Sequence, residues 1–545
     1  MGIDGLWPLL EPAGEKMSLQ HLAVESGFLT HPGPGGTRSL RIGIDALAWI
    51  YRAIYRHGRT KNPELATLFA RCARLFKLPV HPLFVFDGPE RPKNKRGKKV
   101  RGTRLWLERD FKTMLDGFGF MWIEAPGEAE AELASLATAD CVDVVLSEDS
   151  DCFVFGGPVI MRFDPNTSND EEVVLYCAAN VEAHPDLHLK HADFIFIALT
   201  AGGDYSKGIP NCGIDTAFQL AKTGLGRTLL EGMKHYQGRN LRAFLSSWRQ
   251  SLILEAATNK SGHLPHKYPH LARSIPANFP TAALLNLYAK PLVSDKVPPT
   301  LFMKEPDPPM LASFAENHFV WGDPVGILKH FSDTVFPGLA TRSLMAVARV
   351  HDLGFGAQSQ TPISHVIGLR GPGTSAKCPR HQEVRLALCL SSEYVNRIVK
   401  ALEKWMKEER AKVKAWAPLE MAPKFYMAVL NYAGVHQVLS EQARKHEQED
   451  VEDDIEGEKE TLPDLAPEDL IGIDRELETV SQWRTTVTGA SKGVTDKTES
   501  EYQRLMRQCV EFLISHKLIQ DSTDFFCPNP PENAPLYIVA WIMNQ

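Results

Sequence analysis

The sequence has no CxxC pair, no apolar run near the roughly 18 residues that a bilayer-spanning helix needs, and no overall excess of positive charge. Each absence excludes something. Nine scattered cysteines, an odd number, exclude a disulfide framework and a thiolate zinc module, and fit free thiols in a reducing compartment. The opening Met1-Gly2-Ile3-Asp4-Gly5-Leu6-Trp7 lacks the basic region and apolar run of a secretory leader. Leu6 stands where a myristoylation motif wants Ser or Thr. The expectation is a soluble, intracellular protein with no membrane partner. The net charge of −7 would set nucleic acid aside if it were evenly spread. It is not. Fifteen acids crowd between Glu447 and Glu478, opposed only by Lys459 and Arg475, so that strip carries −13. Residues 1–446 carry +7 and residues 479–545 carry −1.

What is present is 545 residues of ordinary globular composition, enough for two to four domains. In the first half, short apolar runs alternate with helical patterns, and each run leads into an acid. Ser39 to Ile44 precedes Asp45, Val80 to Phe86 precedes Asp87, and Asp143 to Leu146 precedes Ser147-Glu148-Asp149. Helical stretches such as Asn62 to Phe76 and Gly127 to Ala137 separate them. This alternation predicts an α/β fold with a mostly parallel central sheet flanked by helices. Ligands of such sheets bind beyond the carboxyl ends of the strands, so the acids should converge. From about 190 to 345 the pattern is mainly helical. From 360 to 440 it suggests a small α+β domain that begins with a β-like piece over Pro362 to Leu369, continues through Glu383 to Leu390 and includes a charged helix around Val399 to Ala415. The acidic tract, 446–494, reads as a solvated linker. Residues 495–545 resume an amphipathic, then apolar, pattern that stops abruptly, as a truncated or fused frame would, and no role is assigned to them.

The carboxylates carry the chemistry. Asp45 and Asp87 end the first two strands. Glu128 and Glu130 lie in Ala125-Pro126-Gly127-Glu128-Ala129-Glu130-Ala131-Glu132, where Pro126 suits a helix start. Asp149 and Asp151 sit in Ser147-Glu148-Asp149-Ser150-Asp151, and Asp204 follows Gly202-Gly203. Seven carboxylates on one side of a core repel one another by several kcal/mol unless cations lie between them. Hard divalent ions with oxygen ligands, Mg²⁺ above all, meet that need. Two such ions about 4 Å apart suit phosphodiester hydrolysis. Each piece also has a plain reading. A strand-end Asp is ordinarily an N-cap, a Glu-x-Glu-x-Glu helix is ordinarily solvated, and Asp-Ser-Asp can be a simple turn. It is their joint order that points to a metal site.

Two further features suggest nucleic acid. Gly203-Asp204-Tyr205-Ser206-Lys207-Gly208-Ile209-Pro210-Asn211-Cys212-Gly213-Ile214 precedes a helix expected over Thr216 to Lys222. Glycines so spaced let backbone N–H groups approach a phosphate at a helix start, although a Gly-rich turn is often only a loop. Arg91, Lys93, Lys95, Arg96, Lys98, Lys99, Arg101 and Arg104 place eight cations in fourteen residues with no acid between them. A nuclear-localisation signal or a solvated arm would look the same, but proximity to Asp87 and Glu128 favours phosphate contact.

The order MGIDGLW, IGIDALAW, FVFDGPE, EAPGEAEAE, SEDSDCFVFG and GGDYSKGIPNCGI resembles the XPG/flap-endonuclease superfamily of structure-selective nucleases. The resemblance covers residues 1–230 and continues more loosely to about 345. It implies a PIN-like nuclease core, with an XPG N-terminal region over 1–110, an internal region with a helix-hairpin-helix-type element over 111–230, and the helical remainder over 231–345. Asp45, Asp87, Glu128, Glu130, Asp149, Asp151 and Asp204 match the family's metal-binding acids, none of them substituted, which implies an active enzyme using two Mg²⁺ ions, with Mn²⁺ able to replace them. Glu132 and Glu148 match no ligand and read as surface charges. Gly2 and Ile3 would lie close to the DNA. Gly203, Lys207, Gly208 and Gly213 would grip duplex DNA, around a K⁺ ion. Lys93 and Arg101 would be the cations nearest the scissile phosphate, with Lys95, Arg96, Lys98, Lys99 and Arg104 as further DNA contacts.

Only forty residues separate Asp87 from Glu128. Replication flap endonucleases carry a longer, closing arm there, and excision-repair members a far longer insertion. The short arm is similar to the eukaryotic, fungal-type Holliday-junction resolvases, in which a chromodomain occupies the place of 360–440. That branch implies cleavage of 5′ flaps, replication forks and four-way junctions in DNA repair and recombination, a nuclear location, and a monomer that dimerises on four-way junctions. A flap-only endonuclease or 5′ exonuclease of the superfamily is the nearer alternative. A catalytically inactive DNA-binding scaffold is the more distant one.

Overall fold

In the computed structural model, the chain divides into a unit Met1–Glu456 and a unit Gly457–Gln545. The structure describes residues 2–30, 38–54, 61–92, 94–95, 98–99, 107–167, 170–295, 304–352, 362–370, 383–402, 419–421 and 426–428, all in the first unit. The acidic tract and the C-terminal segment lie outside the described residues. No helix among the described residues is long and apolar enough to cross a membrane.

The strands are β1 (Glu15–Ser18), β2 (Leu40–Asp45), β3 (Val80–Phe86), β4 (Asn94–Lys95), β5 (Lys98–Lys99), β6 (Met121–Glu124), β7 (Val144–Leu146), β8 (Val159–Phe163), β9 (Glu172–Cys177), β10 (Ile363–Arg370), β11 (Glu383–Leu390), β12 (Leu419–Met421) and β13 (Tyr426–Ala428). A seven-stranded sheet runs in the order β1-β9-β8-β7-β2-β3-β6. The pairs β7·β8, β2·β7, β2·β3 and β3·β6 are parallel, and β8·β9 and β1·β9 close one edge antiparallel. The expected mostly parallel sheet flanked by helices is therefore present.

Both faces of the sheet are covered, which is why its strands read as continuous apolar runs rather than alternating ones. Within them the two-residue period still sorts the layers. Leu83, Val85 and Val145 enter one core, whereas Phe84, Phe86, Val144 and Leu146 enter the other. The first core is built with helices Ala129–Thr138, His191–Thr200, Ile214–Ala221 and Gly238–Thr258. The second is built with Ala46–Ile54, Pro63–Phe76, Leu107–Gly117 and Pro308–His318, and is dense in edge-to-face aromatic pairs around Phe69, Phe76 and Phe84.

The topology fixes where a ligand can sit. From β2 the chain builds outward through β3 and β6, then returns to the far side of β2 for β7 and β8. The reversal leaves a crevice beyond the carboxyl ends of β2 and β7, the switch point of the sheet.

The segment after 360 forms the small sheet β10-β11-β12, with β13 also on β11. Ile363, Leu386 and Leu388 pack on Ala340, Leu344 and Met345 of the helix Phe336–Asp352, and on Val24 and Phe28. A helix spans Ser392–Lys400, its start capped by the Ser391 side chain, which accepts from the Tyr394 N–H. The charged helix expected over Val399 to Ala415 lies, past Leu402, outside the described residues. Val395, Ile398, Val399 and Leu402 enter the second core of the body, so the Ser392–Lys400 helix is packed onto the sheet layers.

Candidate active site

The parallel register sets the first acids in place. Asp45 is the last residue of β2, opposite Val85 of β3, so Asp45 and Asp87 leave the sheet at the same edge. One oxygen of Asp45 accepts from the Leu47 and Ala48 N–H groups at 2.9 and 3.2 Å, capping the helix that follows. Asp45 is thus an N-cap, as the plain reading of a strand-end Asp has it. Asp87 Oδ1 takes the Ala129 N–H at 2.9 Å, and its Oδ2 lies 3.0 Å from Arg91 Nη1. Asp87 thereby caps, from another strand, the helix that Glu128 begins and on whose first turn Glu130 lies. Gly88 lies flat on the same turn, donating to the Gly127 carbonyl at 2.7 Å.

Beyond β7, Ser147 Oγ accepts from the Asp149 N–H and Asp149 Oδ1 from the Asp151 N–H, each at 3.0 Å. This chain of short turns aims both carboxylates inward. Asp204 arrives from the Gly202–Ile214 turn, where Gly203 donates to the Ser206 carbonyl and Ile209 to the Thr200 carbonyl. Gly208, at φ +76°, runs so close to the Thr200 and Ala201 backbone that no side chain fits. The helix after this turn spans Ile214–Ala221, two residues earlier than the sequence suggests. Gly213 at its start faces open space and Lys207 is exposed.

The structure brings all seven carboxylates into one cluster, mostly at helix N-termini, where the helix dipole favours negative charge. Asp45, Glu128, Glu130, Asp149, Asp151 and Asp204 are each at most 9% exposed. Burial and then the charge of Asp87 push Asp45 up to about 7, and burial pushes Glu128 to about 7 against the pull of Lys95. Burial and like charges hold Glu130 and Asp151 well above the usual carboxylate range, and burial raises Asp149. Asp151 Oδ1 is buried without a hydrogen-bond partner. Among the described residues no group of three or more His, Cys, Asp or Glu side chains stands, as placed, where it could hold a metal ion. What lies between the carboxylates is the ammonium of Lys95, paired with Glu128 Oε1 and 3.2 Å from Asp204 Oδ2. An oxygen-only, buried and mutually repelling donor set that draws in a lysine is the chemistry of a site for hard divalent cations. The residues fit such ions.

The raised acids have a measurable consequence. Asp45 and Glu128 move from 3.8 and 4.5 to about 7, so between those values the ion-free folded protein holds more protons than the unfolded chain. Their contribution to stability is full below about pH 4 and is lost as pH rises through about 7. Without divalent ions, the melting temperature should therefore be lower at about pH 8 than at about pH 5.5, and added Mg²⁺ should raise it more at the higher pH. A melting temperature that climbs with pH in the absence of ions would contradict this.

Several expectations need correction. Ile3 is 2% exposed, with its side chain in the core and its N–H on Ser150 Oγ at 3.0 Å. Burial of its apolar side chain makes it an anchor for the N-terminus. Gly2 is also buried, against Asp149 and Asp151. Glu132 is no surface charge: it is 2% exposed and accepts from the Ser294 N–H at 2.8 Å, because the segment after Tyr288 covers it. Glu148 is partly exposed and bridged by Arg52 and Arg162. Lys95 turns toward the carboxylates rather than outward from the arm. Lys93, Arg96, Arg101 and Arg104 lie outside the described residues, as do the side chains of Lys98 and Lys99. Tyr288 was not legible in the sequence as a site residue, since it joins the cluster from a helix 83 residues beyond Tyr205.

Comparison with known proteins agrees with this geometry. The XPG N-terminal domain matches residues 1–104 and the XPG I-region residues 119–204, which between them hold six of the seven acids and end on the seventh. Flap endonuclease GEN homolog 1 of Homo sapiens is 29% identical over 254 residues, covering 42% of this chain and 26% of that protein. The probable flap endonuclease 1 homolog of Danio rerio is 31% identical over 206 residues, covering 35% of this chain and 57% of that one. The chain thus spans about a quarter of the length of the human relative. The Holliday junction-resolving enzyme GEN1 in complex with product DNA and Mg²⁺ superposes with a TM-score of 0.59 at 28% identity, over 82% of this chain and 100% of that one. The potassium-bound junction-resolving enzyme GEN-1 superposes with a TM-score of 0.60 at 28% identity, again over 82% and 100%. Matching domains, shared fold and an acid cluster at the sheet's switch point agree: this chain carries the XPG N-terminal domain and XPG I-region and resembles the GEN1-like branch of the XPG superfamily.

Proposed function

We propose that this protein is a Mg²⁺-dependent, structure-selective DNA endonuclease that cuts 5′ flaps and four-way junctions near the branch point. The observation that carries the reading is the buried cluster of Asp45, Asp87, Glu128, Glu130, Asp149, Asp151 and Asp204, crossed by Lys95. These carboxylates would hold two Mg²⁺ ions, or Mn²⁺ in their place, directly or through water. Bound there, the ions supply Lewis-acid chemistry for phosphodiester hydrolysis.

The chain's own groups do the rest. The carboxylates keep the reacting phosphate's surroundings fixed before it arrives, so that little reorganisation is needed during the reaction. Lys95, which pairs with Glu128 and Asp204, would be a cation available to a phosphate oxygen at the same place if divalent ions took those carboxylates. The open helix start at Gly213, with Lys207 exposed beside it, suits the backbone phosphates of a duplex and a K⁺ ion in the turn. Neutral-to-basic residues 1–446 give the body its attraction for DNA. Paired nicks in a four-way junction call for two copies, so the monomer would dimerise on that substrate and act in the nucleus.

Labelled 5′-flap, replication-fork and four-way substrates, incubated with the protein with and without Mg²⁺, test the reading. Cleavage near the branch only with the ion is expected, and linearisation of a cruciform plasmid by symmetric nicks would mark junction resolution. Cutting of flaps alone would favour the flap-only alternative. Binding without any hydrolysis would leave a scaffold.

A further inference from the structure

A strap of chain crosses the carboxylate cluster from the helical half of the body. It begins at Tyr288, near the end of the helix Ala282–Ala289, and runs to Ser294. Tyr288 is 1% exposed. Its phenol oxygen accepts from the Tyr205 N–H at a long 3.4 Å. It also lies 2.7 Å from where a Cβ on Gly203 would stand, so Asp204 sits between the two residues this hydroxyl touches. The Tyr205 and Tyr288 rings are 4.7 Å apart and Phe155 lies at 6.4 Å, which fixes the phenol's direction. Farther along, the Leu292 carbonyl would be 2.8 Å from a Cβ on Gly127, and the Ser294 N–H donates to Glu132 Oε2. One short segment thus touches both the turn that carries Asp204 and the helix start that carries Glu128 and Glu130.

Packing alone would be served by phenylalanine at position 288, since a hydroxyl buried in the interior is costly unless it is used. Burial, and then the charges of Asp151, Asp204 and Glu128, hold this phenol well above its ordinary value, so it stands as a hydroxyl with a proton to donate.

We propose that Tyr288 is a positioning residue for the carboxylate cluster: its hydroxyl braces the Gly203-Asp204-Tyr205 turn and thereby sets the affinity of the cluster for divalent ions. This rests on the metal-binding reading above and names a residue outside the set of acids. Tyr288 acts on the ions through Asp204, as outer partners of metal ligands do.

The test measures Mn²⁺ binding by electron paramagnetic resonance in the absence of DNA, alongside the melting temperature in ion-free buffer. Tyr288→Phe should bind Mn²⁺ about tenfold more weakly than wild type. Its melting temperature should stay within about 4 °C, so lost affinity is not lost fold. Gly203→Ala places a methyl group against the same oxygen and should also weaken binding. That loss should be smaller in the Tyr288→Phe background, where the obstructing oxygen is gone. Wild-type Mn²⁺ affinity in Tyr288→Phe overturns the proposal, as does a loss matched by a large fall in melting temperature. Should Tyr288→Phe not fold, Gly203→Ala decides alone, and unchanged affinity there overturns the proposal. A wild-type protein that binds no Mn²⁺ would instead overturn the metal reading itself, and this inference with it.

Discussion

Asp151→Asn should bind branched DNA as wild type does and cleave it about 10³-fold more slowly, a loss of ~4 kcal/mol of transition-state stabilisation. Asp151 is 3% exposed, and one of its oxygens has no hydrogen-bond partner within the protein. Burial and the nearby charges of Asp149 and Asp204 oppose its ionisation. A carboxylate held under such opposition has little to contribute to folding and much to offer a divalent cation. The neutral amide keeps the shape and removes the charge. The same substitution should therefore raise the melting temperature of the ion-free protein at about pH 8, because it relieves like-charge repulsion in the folded state. Rapid-quench cleavage of a labelled junction, a binding titration in Ca²⁺ and an ion-free melt are the three readings needed. Wild-type cleavage would remove Asp151 from the metal set. Lost cleavage with a lowered ion-free melting temperature would make it a structural residue.

Gly2→Ala should also be damaging, although the change is a single methyl group far in the sequence from Asp149 and Asp151. Gly2 sits at φ +79°, where an L side chain costs roughly 1–2 kcal/mol. Its Cβ would stand 2.5 Å from Ser150 Oγ, 2.9 Å from Asp151 Oδ1 and nearer still to Asp149 Oδ1. The N-terminal segment has little room to retreat. Ile3 donates to Ser150 Oγ, the Trp7 indole donates to the Glu148 carbonyl at 3.0 Å, and Leu6 and Leu10 are fully buried. The carboxylates must move instead. A displacement of about 1 Å at a reacting centre commonly costs about 10² in rate, so a loss of that order in turnover at saturating Mg²⁺ is expected, with junction binding retained. Turnover within twofold of wild type would show that the N-terminus is not coupled to the cluster.

The two residues illustrate what could and could not be read in advance. The strands ending at Asp45 and Asp87, and the run leading to Asp149, were legible because a parallel strand covered on both faces is apolar along its whole length. The acid then marks where the chain leaves the core. The helix opening at Glu128 was legible from Pro126. The α/β class followed from these elements in order. By contrast, Glu132 read as solvated because alternate helical positions diverge, and nothing local reports that the Tyr288–Ser294 strap covers it. Nor does anything local report that Ile3 is drawn into the core by ordinary apolar burial.

The sequence by itself determined the order of strands and helices, the α/β class and the identity of the acids, because local periodicity and strand-end chemistry are written in adjacent residues. Only the tertiary structure decided what stands among and around those acids. The strand order places a switch point between β2 and β7, the N-terminus is threaded against Asp149 and Asp151, Lys95 is turned inward, and Tyr288 is brought to Asp204. Each of these depends on contacts between segments distant in the chain, and like-charge repulsion among buried carboxylates acts only once folding has closed those distances.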